Sequence, residues 1–188
     1  MSRYDEIDLD SLTPEQQAVA DAIAGGPRGS LRGPFVPWLL SPEMADPAQR
    51  LGAFLRFGSV LPPRLKELAI LYTARRWDAG FEWRVHAGLA LEAGLPHPVV
   101  EAVGRGETPK FADEDEALIW RACTEMYETR RLTDATFAAL KALLGPQGVA
   151  ELAGLLGYYA LVSITLNAFE VPTPDDGAVP ALAPRPAD

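Results

Sequence analysis

The sequence predicts an all-α chain of about eight helices, and three observations predict it. Helix starts are marked by capping residues and prolines; no segment alternates apolar and polar residues like a strand; and one long apolar run, Leu152 to Phe169, carries no charge. These features fit a single-domain helical bundle whose short connections join antiparallel neighbours.

In chain order, Thr13-Pro14-Glu15-Gln16 supplies an N-cap, a proline at the first helical position and a capping-box glutamine, opening a helix to about Ala24. Gly25-Gly26-Pro27 ends it. Ser30 to Leu40 holds Gly33, Pro34 and Pro37 and reads as an irregular apolar loop. Ser41-Pro42-Glu43 starts the next helix, which runs to about Phe57 with a restart near Asp46-Pro47. Pro62-Pro63 opens a helix through Arg75; Gly80 begins another, closed by Gly94; Pro96 starts a short one to about Val103. Asp113 to Glu116 is a second capping box, for a helix to about Thr129. Thr133 caps the next, and Gly145 separates it from the apolar helix. Prolines and Asp175-Asp176-Gly177 make the end of the chain non-helical.

Of the 188 residues, 48% are hydrophobic and 23% charged, an ordinary globular balance with room for one sizeable core. The formal net charge of -9 and the lack of any Lys/Arg run argue against nucleic acid. Arg75-Arg76 and Arg130-Arg131 read as solvated helix ends. A single cysteine, Cys123, excludes an intramolecular disulfide or CxxC pair and reads as a buried small hydrophobe. The acidic start of the chain lacks the apolar core of a secretory signal, so a cytoplasmic location is expected. Leu152 to Phe169 has nearly the length of a spanning helix, yet it contains Tyr158, Tyr159, Ser163, Thr165 and Asn167 and has no flanking Lys or Arg. A helix buried in a bundle or against other subunits explains it better than a membrane.

The chemistry-bearing residues concentrate between Pro63 and Gly94. Glu67 has Ile70 and Leu71 at i+3 and i+4, so its carboxylate lies on an apolar stripe. Glu82 and His86 share a helix face at i, i+4. The turn between the two helices is centred near Arg76 to Asp78, as is the midpoint of Glu67 and His86, so Glu67 can reach the other two across an antiparallel pair. A converging Glu67, Glu82 and His86 suits acid/base catalysis. The same spacing also suits a structural surface pair, and E-x-x-x-H with Glu67 could hold a metal, although no metal site is expected.

The stretch Arg64 to Leu95, RLKELAILYTARRWDAGFEWRVHAGLALEAGL, resembles the carboxymuconolactone decarboxylase family, relatives of the alkylhydroperoxidase D-like proteins. The shared pattern is Glu in E-L-A-I-L, then E-W-x-x-H, then A-L-x-A-G-L; Ala117 to Tyr127, Leu132-Thr133-Asp134 and Gly157-Tyr158-Tyr159 to Phe169 fit as well. The resemblance implies a family-like domain over residues 51–170, preceded by a helical extension and apolar loop over 1–50 and followed by a Pro-rich tail over 171–188. In the peroxidase branch a CxxC precedes the histidine; those positions fall on Ala79 and Glu82 here, so disulfide-based peroxide reduction is not expected. What the resemblance implies instead is cofactor-free decarboxylation or proton transfer on a small carboxylated lactone or keto acid, with His86 as proton donor, Glu82 orienting it and Glu67 as a second acid/base. Arg32, Arg64 and Arg75 are candidate clamps for an anionic substrate, the Phe35, Pro37, Trp38 loop is a candidate apolar wall, and Trp83 is a further candidate substrate-binding residue. The resemblance also implies a homo-oligomer, trimer or hexamer.

Overall fold

A computed structural model describes residues 3–4, 7–174 and 179–184. The described residues are helical without strands: α1 (Pro14–Ala24), α2 (Phe35–Trp38), α3 (Pro42–Ala53), a π-helical turn (Phe54–Gly58), α4 (Pro63–Arg76), α5 (Gly80–Glu92), α6 (His97–Arg105), α7 (Glu114–Glu128) and α8 (Asp134–Ala168). They fall into two compact units, residues 1–59 with 164–172 and residues 60–163 with 173–188.

In the first unit, α1 opens on the expected capping box: Thr13 Oγ1 accepts from the Gln16 backbone N–H at 3.3 Å, and Gln16 Oε1 accepts from Thr13 N–H at 2.9 Å. The segment read as an irregular loop instead contains α2, one helical turn. Pro34 and Pro37 are compatible with it because a single turn asks for few backbone donors. Trp38 of this turn is buried, and its Nε1–H donates to Thr165 Oγ1 at 2.9 Å. The helix expected to run to Phe57 stays α-helical only to Ala53, with Pro47 inside it, and then widens into the π turn.

In the second unit, α4 is the central element and packs on α5, α6 and α7. Every residue from Leu65 to Ala74 is buried, and Leu68, Ala69, Ile70 and Leu71 are fully so. Each such Leu or Ile side chain contributes about 1.5–3 kcal/mol. At the end of α4, Asp78 takes the left-handed conformation (φ 49) and the Ala79 N–H donates back to Ala74 O at 2.9 Å, which turns the chain into α5. A Cβ at position 80 would meet Thr173 Oγ1 at 2.8 Å, so any larger residue there would have to displace the Thr173 side chain. Asp113 caps α7 through the Asp115 and Glu116 N–H groups. Arg64 holds Asp113 Oδ2 at 2.9 Å and also binds the carboxylate of Glu116, which is 1% exposed. Burial pushes the Glu116 carboxyl up, and Arg64 opposes that shift.

α8 bends at Gly145, whose φ of 70 and ψ of 171 divide residues 134–144 from 146–168. It is long and apolar enough to cross a membrane, but 56% of its most apolar window is buried in protein. The segment 179–184 lies along α5 and α6: Trp83 Nε1–H donates to Pro180 O at 2.8 Å, Arg75 Nη1 to Ala183 O at 2.5 Å, and Ala183 N–H to Gly104 O at 2.9 Å. Arg75 is therefore not a solvated helix end; its side chain is 11% exposed, because a distant segment folds over it.

Candidate acid/base site

Glu67 sits in the middle of α4, and Glu82 and His86 lie on one face of α5 in its first two turns. The antiparallel pairing of the helices brings the three together. His86 Nδ1 lies 2.6 Å from Glu67 Oε2, and His86 Nε2 lies 2.9 Å from Glu82 Oε1. Residue exposures are 5%, 5% and 2% for Glu67, Glu82 and His86, so the triad is a buried one. The Tyr159 ring meets the imidazole edge-on, with centroids 5.1 Å apart at 84°.

The protonation state follows from the partners. A neutral imidazole has one N–H and one acceptor nitrogen, and an acceptor nitrogen facing a carboxylate gains nothing. Two carboxylates, one on each ring nitrogen, are satisfied when both nitrogens donate. Burial alone would push the His86 pKa down; the charges of Glu67 and then Glu82, with their hydrogen bonds, outweigh it and raise the value to about 9. At neutral pH His86 is therefore an imidazolium, held between Glu67 and Glu82. Glu82 has further support from its place in the first turn of α5, where the helix dipole favours negative charge.

Such an array can move a proton in line. The imidazolium can release a proton from one nitrogen to one carboxylate and take another at the opposite nitrogen without rotating.

The other predicted site residues have partners of their own or belong to the first unit. Arg64 is bound to Asp113 and Glu116, and the indole N–H of Trp83 is used by Pro180. Arg32, Phe35 and Trp38 belong to the first unit, where Arg32 is exposed and the two aromatic rings are buried edge-to-face at 5.5 Å. Tyr159 is a site neighbour that the sequence reading does not assign; its one signal is a tyrosine pair inside the charge-free stretch from Leu152 to Phe169. Cys123 is fully buried, and burial pushes its thiol up to about 12, so it stays an un-ionised thiol. Among the described residues no group of three or more His, Cys, Asp or Glu side chains is arranged to hold a metal ion.

No family model and no curated protein matches the sequence. Solved structures similar in fold include the following two. One is the alkylhydroperoxidase AhpD core of an uncharacterized peroxidase-related protein from Ralstonia eutropha JMP134, with a TM-score of 0.74 and 14% identity over 93% of both chains. The other is an uncharacterized peroxidase-related protein from Silicibacter sp. TM1040, with a TM-score of 0.72 and 12% identity, again over 93% of both chains. The chain therefore has the all-helical fold of the alkylhydroperoxidase D-like proteins, with a Glu–His–Glu triad on its central hairpin.

Proposed function

We propose that this chain is an acid/base enzyme that needs no cofactor, a lyase of the carboxymuconolactone decarboxylase type acting on a small carboxylated lactone or keto acid. The observation that carries the reading is the placement of carboxylates on both ring nitrogens of His86, at 2.6 and 2.9 Å. In the reaction the bond between the substrate carboxylate and its neighbouring carbon breaks, CO₂ leaves, and the electron pair delocalises into the adjacent carbonyl or alkene. A proton must then reach that carbon.

His86 is the proton reservoir. Because both its nitrogens are occupied, the proton passes to substrate through a carboxyl group, and Glu82 is better placed than Glu67. Glu67 lies within the wholly buried run Leu65 to Ala74 of α4, whereas Glu82 is in the first turn of α5, two residues from half-buried Gly80. With exposures of 5% or less, side chains around the triad must move for substrate to enter. The same proposal places the enzyme in the cytoplasm as a homo-oligomer, trimer or hexamer. Its support is the charge-free stretch of α8 from Leu152 onward, which leaves Leu161 38% and Ile164 46% exposed. A thiol-based peroxidase reading gains no support from a buried Cys123 whose thiol is pushed up to about 12.

The test is CO₂ release from a panel of carboxylated lactones and β-keto acids in D₂O, with deuterium uptake at the protonated carbon. His86→Gln is expected to lower kcat about 100- to 10,000-fold with helicity unchanged. Equal turnover in the variant, or turnover by the wild type without deuterium uptake, would overturn the reading.

A further inference from the structure

Arg28 lies in the bend between α1 and α2, flanked by Gly29 (φ 68) and, further along, Gly33 (φ 64). Its guanidinium carbon stands 4.6 Å from the centroid of the Phe35 ring, which covers one face of the cation. Phe35 is held edge-to-face against Trp38, and Trp38 is fixed by its hydrogen bond to Thr165. The guanidinium is thus oriented by a chain of ordered aromatic contacts within the first unit.

Its hydrogen bonds are missing where they matter most. Nε and Nη2 of Arg28 are both buried, and among the described residues neither meets an acceptor. These two nitrogens form one edge of the planar guanidinium, and their N–H groups point the same way. That edge is the one that matches the two oxygens of a carboxylate or phosphate side-on. An arginine cannot shed its charge, so a buried edge without an acceptor is an unfilled demand for an anion. The chain as a whole carries a charge of -9, yet no carboxylate among the described residues supplies this one.

We propose that Arg28 is the anchor of an oxyanion-binding site, taking a carboxylate or phosphate group through Nε and Nη2 while Phe35 holds the plane of the guanidinium. The site does not depend on the acid/base reading of Glu67, Glu82 and His86.

The experiment is an NMR titration of the arginine Nε–H resonances in the full ¹⁵N-labelled chain, at constant ionic strength, with sodium benzoate and sodium phosphate as separate probes. Arg28 Nε–H is expected to shift saturably with at least one of them. Saturation by benzoate alone identifies a carboxylate ligand, and by phosphate alone a phosphate. Arg28→Lys keeps the charge but lacks the two-donor edge, and is expected to weaken binding, followed by calorimetry, at least about tenfold. Arg28→Gln should abolish binding with helicity unchanged; if that variant does not fold, Arg28→Lys decides. Non-saturating drift with both anions, or equal affinity in Arg28→Lys, overturns the proposal.

Discussion

His86 Nδ1 and Glu67 Oε2 stand 2.6 Å apart although 19 residues separate them in the chain, and the opposite ring nitrogen is occupied by Glu82. This pairing makes the fold itself sensitive to pH. The His86 pKa is raised from 6.5 to about 9 in the folded chain. A group raised in this way contributes stability that is fully present below its unfolded value and is lost as pH rises through the folded one. Stability is therefore expected to fall between pH 6.5 and 9, by about 3 kcal/mol from this group. Urea denaturation across that range checks it, and an NMR titration of the His86 ring should place its pKa near 9. In Glu67→Gln the pKa should drop, since one of the two raising charges is gone; a pKa unchanged in that variant would contradict the geometry.

The hairpin that carries this pair was legible in the sequence because every cue for it is local. The i, i+4 spacing of Glu82 and His86 fixes a shared face, and the position of Glu67 relative to the turn fixes the register across it. Prolines at the first turn of α1, α3 and α4 and the caps at Thr13 and Asp113 likewise act within a few residues. What local reasoning could not reach were partners distant in the chain. Trp83 and Pro180 are 97 residues apart, and Arg75 and Ala183 are 108 apart, so nothing near either side chain announces its acceptor. Arg64 looked like a free cation for the same reason; its carboxylate partners lie 49 and 52 residues on. The π turn at Phe54–Gly58 had no signal in residue type at all.

Arg64 is expected to matter for stability through Glu116. The Glu116 carboxylate is 1% exposed, whereas the Arg64 side chain is 30% exposed, so removing the arginine strands a buried charge more than it frees a surface one. Arg64→Ala should destabilise the fold by about 3 kcal/mol. The double variant Arg64→Met with Glu116→Leu should recover much of that loss, because no unpaired charge remains. Thermal unfolding of the three proteins measures the difference; an Arg64→Ala loss below about 0.5 kcal/mol would show the pair behaving as a surface ion pair.

Cys123 should be chemically silent. Its side chain is fully buried and its thiol is pushed up to about 12, so almost no thiolate exists at neutral pH. A thiol reagent such as DTNB should react with the native chain only at the rate of unfolding and at full speed in denaturant. Cys123→Ala should retain full turnover of any substrate the wild type accepts. Rapid native labelling, or loss of turnover in a folded Cys123→Ala, would return thiol chemistry to consideration.

Two glycines of α8 should respond to alanine with opposite sign. A Cβ on Gly145 or on Gly157 meets nothing within 4 Å, so packing does not distinguish them. The backbone does. Gly145 holds φ 70 and ψ 171, a conformation that side-chain-bearing residues rarely adopt, and Gly145→Ala should cost about 1–3 kcal/mol. Gly157 is in a helical turn on an exposed face, and Gly157→Ala should add about 0.5–1 kcal/mol by restricting the unfolded chain. Denaturant unfolding of both variants reads the two signs. A loss at Gly157 that grows with protein concentration would mean that the exposed face of α8 is covered by another copy in solution. The added methyl group then meets a partner, and the homo-oligomer proposed above gains its interface.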